Sequence, residues 1–133
     1  MDTSAKVLMV GGSVSLMYGF LLGLPLTMAR MKSPTASRHL VTAHLAAIIQ
    51  GATLLALSGV MAFSDLPSTI ETIAAALLVG GAVLFVGGAV ANWRQKVDDH
   101  FATRSFGWTL FSVSGPANLT GAAIVLTGVL RGL

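Results

Sequence analysis

The sequence predicts an all-α integral membrane protein, a four-helix bundle. Three observations predict it. Of 133 residues, 54% are hydrophobic and 10% are charged, where an average soluble domain carries roughly 25% charge. Mean hydropathy is +0.81. The apolar residues fall into four runs, each near the ~20 residues that a helix needs to cross a bilayer. A small folded protein exposes much of its area, and eight basic plus five acidic side chains cannot cover a monomer this apolar. Disorder is excluded as well, because it requires low hydrophobicity and high charge. The length predicts one membrane domain over residues 1–133. There is no cysteine, which excludes disulfides, iron–sulfur clusters and thiol nucleophiles.

The first span is 7–29, without a formal charge. It is too long for a signal-peptide core and lacks a small-residue cleavage site. A basic connection with Pro34 follows. The second span is 40–63, interrupted only by His44. Asp65 and Pro67 mark the next break. The third span is 70–93, with Glu71 at its edge. Residues 94–105 hold most of the remaining charge, and the fourth span is 106–130. Arg30, Lys32 and Arg38 lie in the first loop, and Arg94, Lys96 and Arg104 in the third. Only Lys6 and Arg131 lie at the other end. The excess of basic residues predicts a cytoplasmic side for loops one and three. Both termini are then non-cytoplasmic, in a multi-pass protein of a bacterial-type inner (plasma) membrane. The net charge of +3 reads as a topology signal, with no nucleic-acid footprint.

The halves resemble each other. Val10-Gly11-Gly12 matches Val79-Gly80-Gly81, Gly19 matches Gly88, Gly51-Ala52 matches Gly121-Ala122, and Gly59-Val60 matches Gly128-Val129. Two duplicated hairpins related as a parallel repeat are expected, against chance matching among Gly/Ala-rich helices. Gly19-xxx-Gly23, Ala76-xxx-Gly80, Gly87-xxx-Ala91 and Ala117-xxx-Gly121 read as packing faces, since small residues let helices approach closely in lipid. They imply a tight bundle and a homo-oligomer, with a site between protomers.

An ionisable residue inside a span is a functional candidate by default, and His44 is the one clearly inside. Ala47, Ile48, Gly51 and Leu55 share its face, and their small members leave space above the imidazole for a flat ligand. Gln50 lies about 120° round the helix. His44 reads equally as a buried imidazole bonded to a carbonyl, a metal or haem ligand, or a proton carrier. Asn118, beside Pro116, either satisfies the carbonyl that the proline frees or orients a polar substrate. Tyr18 is a packing residue or a substrate contact. His39 and His100 read as loop-edge residues, and Trp93 and Trp108 as interface anchors. Nucleotide-binding, zinc-protease and serine-hydrolase motifs are absent.

The segment Ala43-His44-Leu45-Ala46-Ala47-Ile48-Ile49-Gln50-Gly51 resembles the His-x5-Asn/Gln-Gly signature of the small four-helix membrane isomerases. That group includes hydroxylaminobenzene mutases and styrene oxide isomerases. Length, span count and the Gly-rich opening helix are most similar to the mutases. The resemblance implies a homotrimer with haem b between protomers, His44 as the axial ligand of its iron, and the iron acting as a Lewis acid. It places Gln50 where the epoxide isomerases have an Asn near the substrate. Catalytic candidates are then Gln50, Asn118 and Tyr18, with His44 binding the cofactor. The third helix departs from the pattern: it is Gly, Ala and Val through 80–91, where the epoxide isomerases carry acidic and tyrosine groups, so the substrate contacts differ. The activity implied is conversion of an aryl hydroxylamine to a 2-aminophenol, as in nitroaromatic degradation. Such chemistry needs a polarised N–O bond and a dry pocket, and it suits an apolar aromatic substrate that partitions into lipid. Two other classes stay open. A small multidrug-type exporter would need an intramembrane acid, and Glu71 sits at a span edge. A non-catalytic subunit of a membrane complex would use His44 only for packing.

Overall fold

The computed structural model describes all residues, 1–133. It is an all-α membrane helical bundle without strands. Helix α1 spans Thr3–Lys32 and α2 spans Arg38–Val60, closed by a 3₁₀ turn at Met61–Phe63. Helix α3 spans Ser68–Arg94, α4 is the short His100–Thr103, and α5 spans Phe106–Gly132. All four long helices are long and apolar enough to cross a membrane. They outrun the apolar segments by a few residues at most ends, because helical backbone stays hydrogen-bonded after hydrophobicity has faded into the interfacial zone.

The stops have local causes. The chain leaves α1 at Ser33, whose N–H bonds the carbonyl of Ala29, and Pro34 cannot continue a helix. Pro67 stands at the N-cap of α3, with Glu71 in the first turn, where an acid meets the positive end of the helix dipole. Lys96, at φ 52°, turns the chain out of α3. Asp99 caps α4 by accepting from the backbone N–H groups of Phe101 and Ala102. Ser105 caps α5 by accepting from the N–H of Trp108 at 3.1 Å.

Helices α1 and α2 form one tight antiparallel pair and α3 and α5 the other, and α3 also packs on α1 and α2. The arrangement is therefore centred on α3. Of its most apolar stretch, 44% is buried, against 22% for each other long helix. One core cluster joins Leu8, Leu54, Ala74, Leu78 and Val125. The second joins Leu22, Leu40, Ala47, Val86 and Ala89 toward the opposite end. The basic loops lie together as expected, since Arg38 donates to the carbonyl of Asp98. At the other end the N–H of Asp65 bonds the carbonyl of Gly128 at 3.1 Å.

Small residues set the closest approaches. A Cβ on Gly12 would lie 2.8 Å from the carbonyl oxygen of Gly51, and one on Gly51 would lie 2.9 Å from that of Gly12. Gly19 lies against Ala47 and Ile48, and Gly121 against Ala74 and Leu78. Gly80, by contrast, has open space where a Cβ would go, so Ala76-xxx-Gly80 is not a packing face within the chain. Both halves form a helical hairpin, but they pair differently. Gly12 meets Gly51 in the first hairpin, whereas its counterpart Gly81 meets Asn118 and not Gly121.

Candidate functional site

His44 lies on the α1-facing side of α2, half-buried. Its Nδ1 stands 2.8 Å from the carbonyl oxygen of Gly19, and its Cε1 lies beside Gly23. A carbonyl only accepts, so Nδ1 carries a proton, and Nε2 is the nitrogen left for any other partner. Nε2 has no hydrogen bond and is not among the sealed, unpartnered atoms, so it reaches the surface of the α1–α2 pair. Gly19 and Gly23 make this possible. Without side chains there, α1 comes near enough for its carbonyl to hold the ring.

The expected space above the imidazole is absent on the α1 side. Ala47, Ile48 and Gly51 pack against Gly12, Leu16 and Gly19, and Ser15 Oγ donates to the carbonyl of Ala47 at 2.8 Å. The small residues bring a helix in; they do not leave a cavity. An axial iron ligand needs a fixed ring and a free nitrogen, and His44 has both. Any ligand of the free His44 nitrogen would therefore have to approach from the outward side of the α1–α2 pair. No group of three or more His, Cys, Asp or Glu residues gathers into a metal site.

The other candidates are dispersed. Gln50 is half-buried on α2. Tyr18 is 41% exposed and lines an apolar groove of about 720 Å³ between α1 and α3, in which His44 has no part. Asn118 belongs to the α3–α5 contact. Its Nδ2 donates to Ser114 Oγ at 3.4 Å, and Ser114 Oγ donates to the carbonyl of Gly81 at 2.9 Å. Ser114 and Asn118 thus tie α5 to α3, and neither serves the carbonyl freed by Pro116. Within the chain the four residues form no common site.

The structure also builds a polar cluster that loop-edge reasoning missed. His39, 6% exposed, bonds the carbonyl of Val97 through Nε2 at 2.8 Å. The His100 ring meets it edge-on, with centroids 5.6 Å apart, and also packs on Phe111. Burial, then the neighbouring His39, holds the His100 imidazole below its ordinary pKa. Asp99 is held below the usual carboxylate value, first by the backbone N–H of Phe101 and then by that of Ala102. Asn92 is fully buried and accepts from Ser105 Oγ at 2.7 Å, and its Nδ2 has no partner. The spacing of His39 and His100 in the chain gave no signal of this meeting, since 60 residues separate them. Glu71, read as an edge residue, is in the first turn of α3 but only 5% exposed.

Comparison of the chain with family models, with curated proteins and with solved structures finds no match.

Proposed function

We propose that this protein is a membrane isomerase, an intramolecular hydroxyl transferase that converts aryl hydroxylamines to 2-aminophenols. The observation that carries the reading is the Nδ1–H bond of His44 to Gly19, which leaves Nε2 free and outward-facing. In the reaction the N–O bond breaks and a C–O bond forms at the ortho carbon. The proton displaced from that carbon returns to nitrogen, so atoms and electrons balance without a redox partner. His44 would hold haem b, which would supply a Lewis acid for the substrate oxygen. Gly19 fixes the ring that would hold it. The apolar surfaces of α1 and α2 would exclude water, which would protect a reactive nitrenium-like ring from attack at the para carbon.

Because His44, Gln50, Tyr18 and Asn118 stand apart in one chain, the reading requires a homo-oligomer, a trimer by the resemblance, that adds a second copy to the His44 face. It places the protein in a bacterial inner membrane, with the α1–α2 and α3–α5 loops in the cytoplasm and both termini outside. The test is anaerobic incubation of purified protein with phenylhydroxylamine, together with its absorption spectrum. A Soret band and 2-aminophenol are expected, and both are lost in His44→Ala. No product from haem-replete wild-type protein rejects the reading.

A second reading, a proton-coupled exporter, draws on the burial of Glu71, although that acid stands in the first turn of α3 and not in mid-span. It predicts proton-driven drug extrusion that Glu71→Gln abolishes, and no aminophenol.

A further inference from the structure

We propose that the groove between α1 and α3 binds one acyl chain of an anionic phospholipid, with Lys6 at the headgroup. The groove holds about 720 Å³, and Lys6 is the one charged residue that lines it. Its walls are valines, among them Val10, Val14 and Val83. From Lys6 to Tyr18 it follows α1 for about 18 Å at 1.5 Å per residue. One leaflet is half of a ~30 Å hydrocarbon core, or about 15 Å. Tyr18 stands at the middle of α1, so the groove runs from the membrane surface to the midplane, the reach of one lipid tail.

Small residues form part of the wall, Gly11, Ala82 and Gly87 among them. Gly87 lines the groove, and a Cβ placed there would meet only Leu110 Cδ1, at 3.9 Å. A helical glycine is less favourable than alanine, and no contact within the chain requires one at 87. Charge selects the headgroup. Asp2, Asp65 and Arg131 are exposed at the same end and Glu71 is buried there, but none of them lines the groove. Lys6 lays its stem along apolar surface and presents its ammonium at the interface, where it meets a lipid phosphate. This inference does not rest on the proposed isomerase activity, although Tyr18 borders the groove.

The experiment is native mass spectrometry of the purified full chain from mixed micelles. The probes are phosphatidylglycerol and phosphatidylcholine with identical tails. Wild type retains phosphatidylglycerol over phosphatidylcholine by about five-fold, the factor expected of one lysine near a membrane surface. Lys6→Gln removes that preference and leaves phosphatidylcholine retention unchanged. Gly87→Leu, or Val14→Phe if the first variant does not fold, fills the groove and lowers retention of both lipids. Equal retention of the two lipids by wild type, or a preference that survives Lys6→Gln, overturns the proposal. So does unchanged retention in a folded groove-filling variant. The chain has no native cysteine, so Val83→Cys tests whether a second copy occupies the groove. A disulfide-linked dimer formed in vesicles overturns the lipid assignment.

Discussion

His44 Nδ1 and the carbonyl oxygen of Gly19 stand 2.8 Å apart, on helices that touch through glycine. That one bond places a proton on Nδ1. Nitrogen NMR of selectively labelled protein, without bound haem, is expected to show a proton on His44 Nδ1 that is hydrogen-bonded to a carbonyl. A ring protonated at Nε2 alone would contradict the assignment of Gly19 as its partner.

The Gly12–Gly51 contact is expected to be intolerant. A side chain at Gly51 meets the backbone of Leu16 and Gly12, which cannot yield as a side-chain tip can. Gly51→Leu should cost about 1–3 kcal/mol, the range for overpacking. Gly59 has nothing within 4 Å of where a Cβ would sit, so Gly59→Ala should be neutral or stabilising by up to ~1 kcal/mol. Unfolding in a graded detergent series, followed by helicity, measures both. Equal effects at the two sites would refute the packing account.

Gly81 and Asn118 should be energetically coupled. A methyl at Gly81 runs into the Asn118 amide, so Gly81→Ala destabilises wild type. In an Asn118→Ala background most of that penalty should vanish. A double-mutant cycle should return a coupling of about 0.5–3 kcal/mol, as for residues in contact. Additive effects would mean that the two do not touch.

Acid should loosen the loop end of the bundle. The folded state lowers the pKa of His100 below its ordinary 6.5. Above 6.5 the ring is neutral in both states, and the stability it contributes is whole. As pH falls from 6.5 toward the folded pKa, the unfolded chain binds the proton more readily, and stability is lost. His39 and Arg38 oppose protonation of this ring, and Asp99 favours it. Amide hydrogen exchange at α4, corrected for intrinsic pH effects, should therefore show less protection at pH 5.5 than at pH 7.5. His100→Phe should flatten that dependence. Protection unchanged between the two pH values would remove His100 as its cause.

Four apolar runs separated by Pro34, Pro67 and the charged stretch around Asp98 determined the helices, because run length against bilayer thickness is a one-dimensional criterion. The sequence likewise brought Arg38 and the 94–105 loop to one side, since spans alternate in direction. It singled out His44 as an ionisable group within a span. Packing partners are a different matter. Gly12, Gly80 and Gly87 are the same residue in the same kind of helix, yet only Gly12 lies at a helix crossing. Rotation and level of one helix against another depend on the sum of many contacts, none of which is local in the chain. The tertiary structure alone therefore put Gly19 on His44, closed the space expected above the ring, and joined His39 to His100. It also sent Tyr18 to the groove and Asn118 to α3.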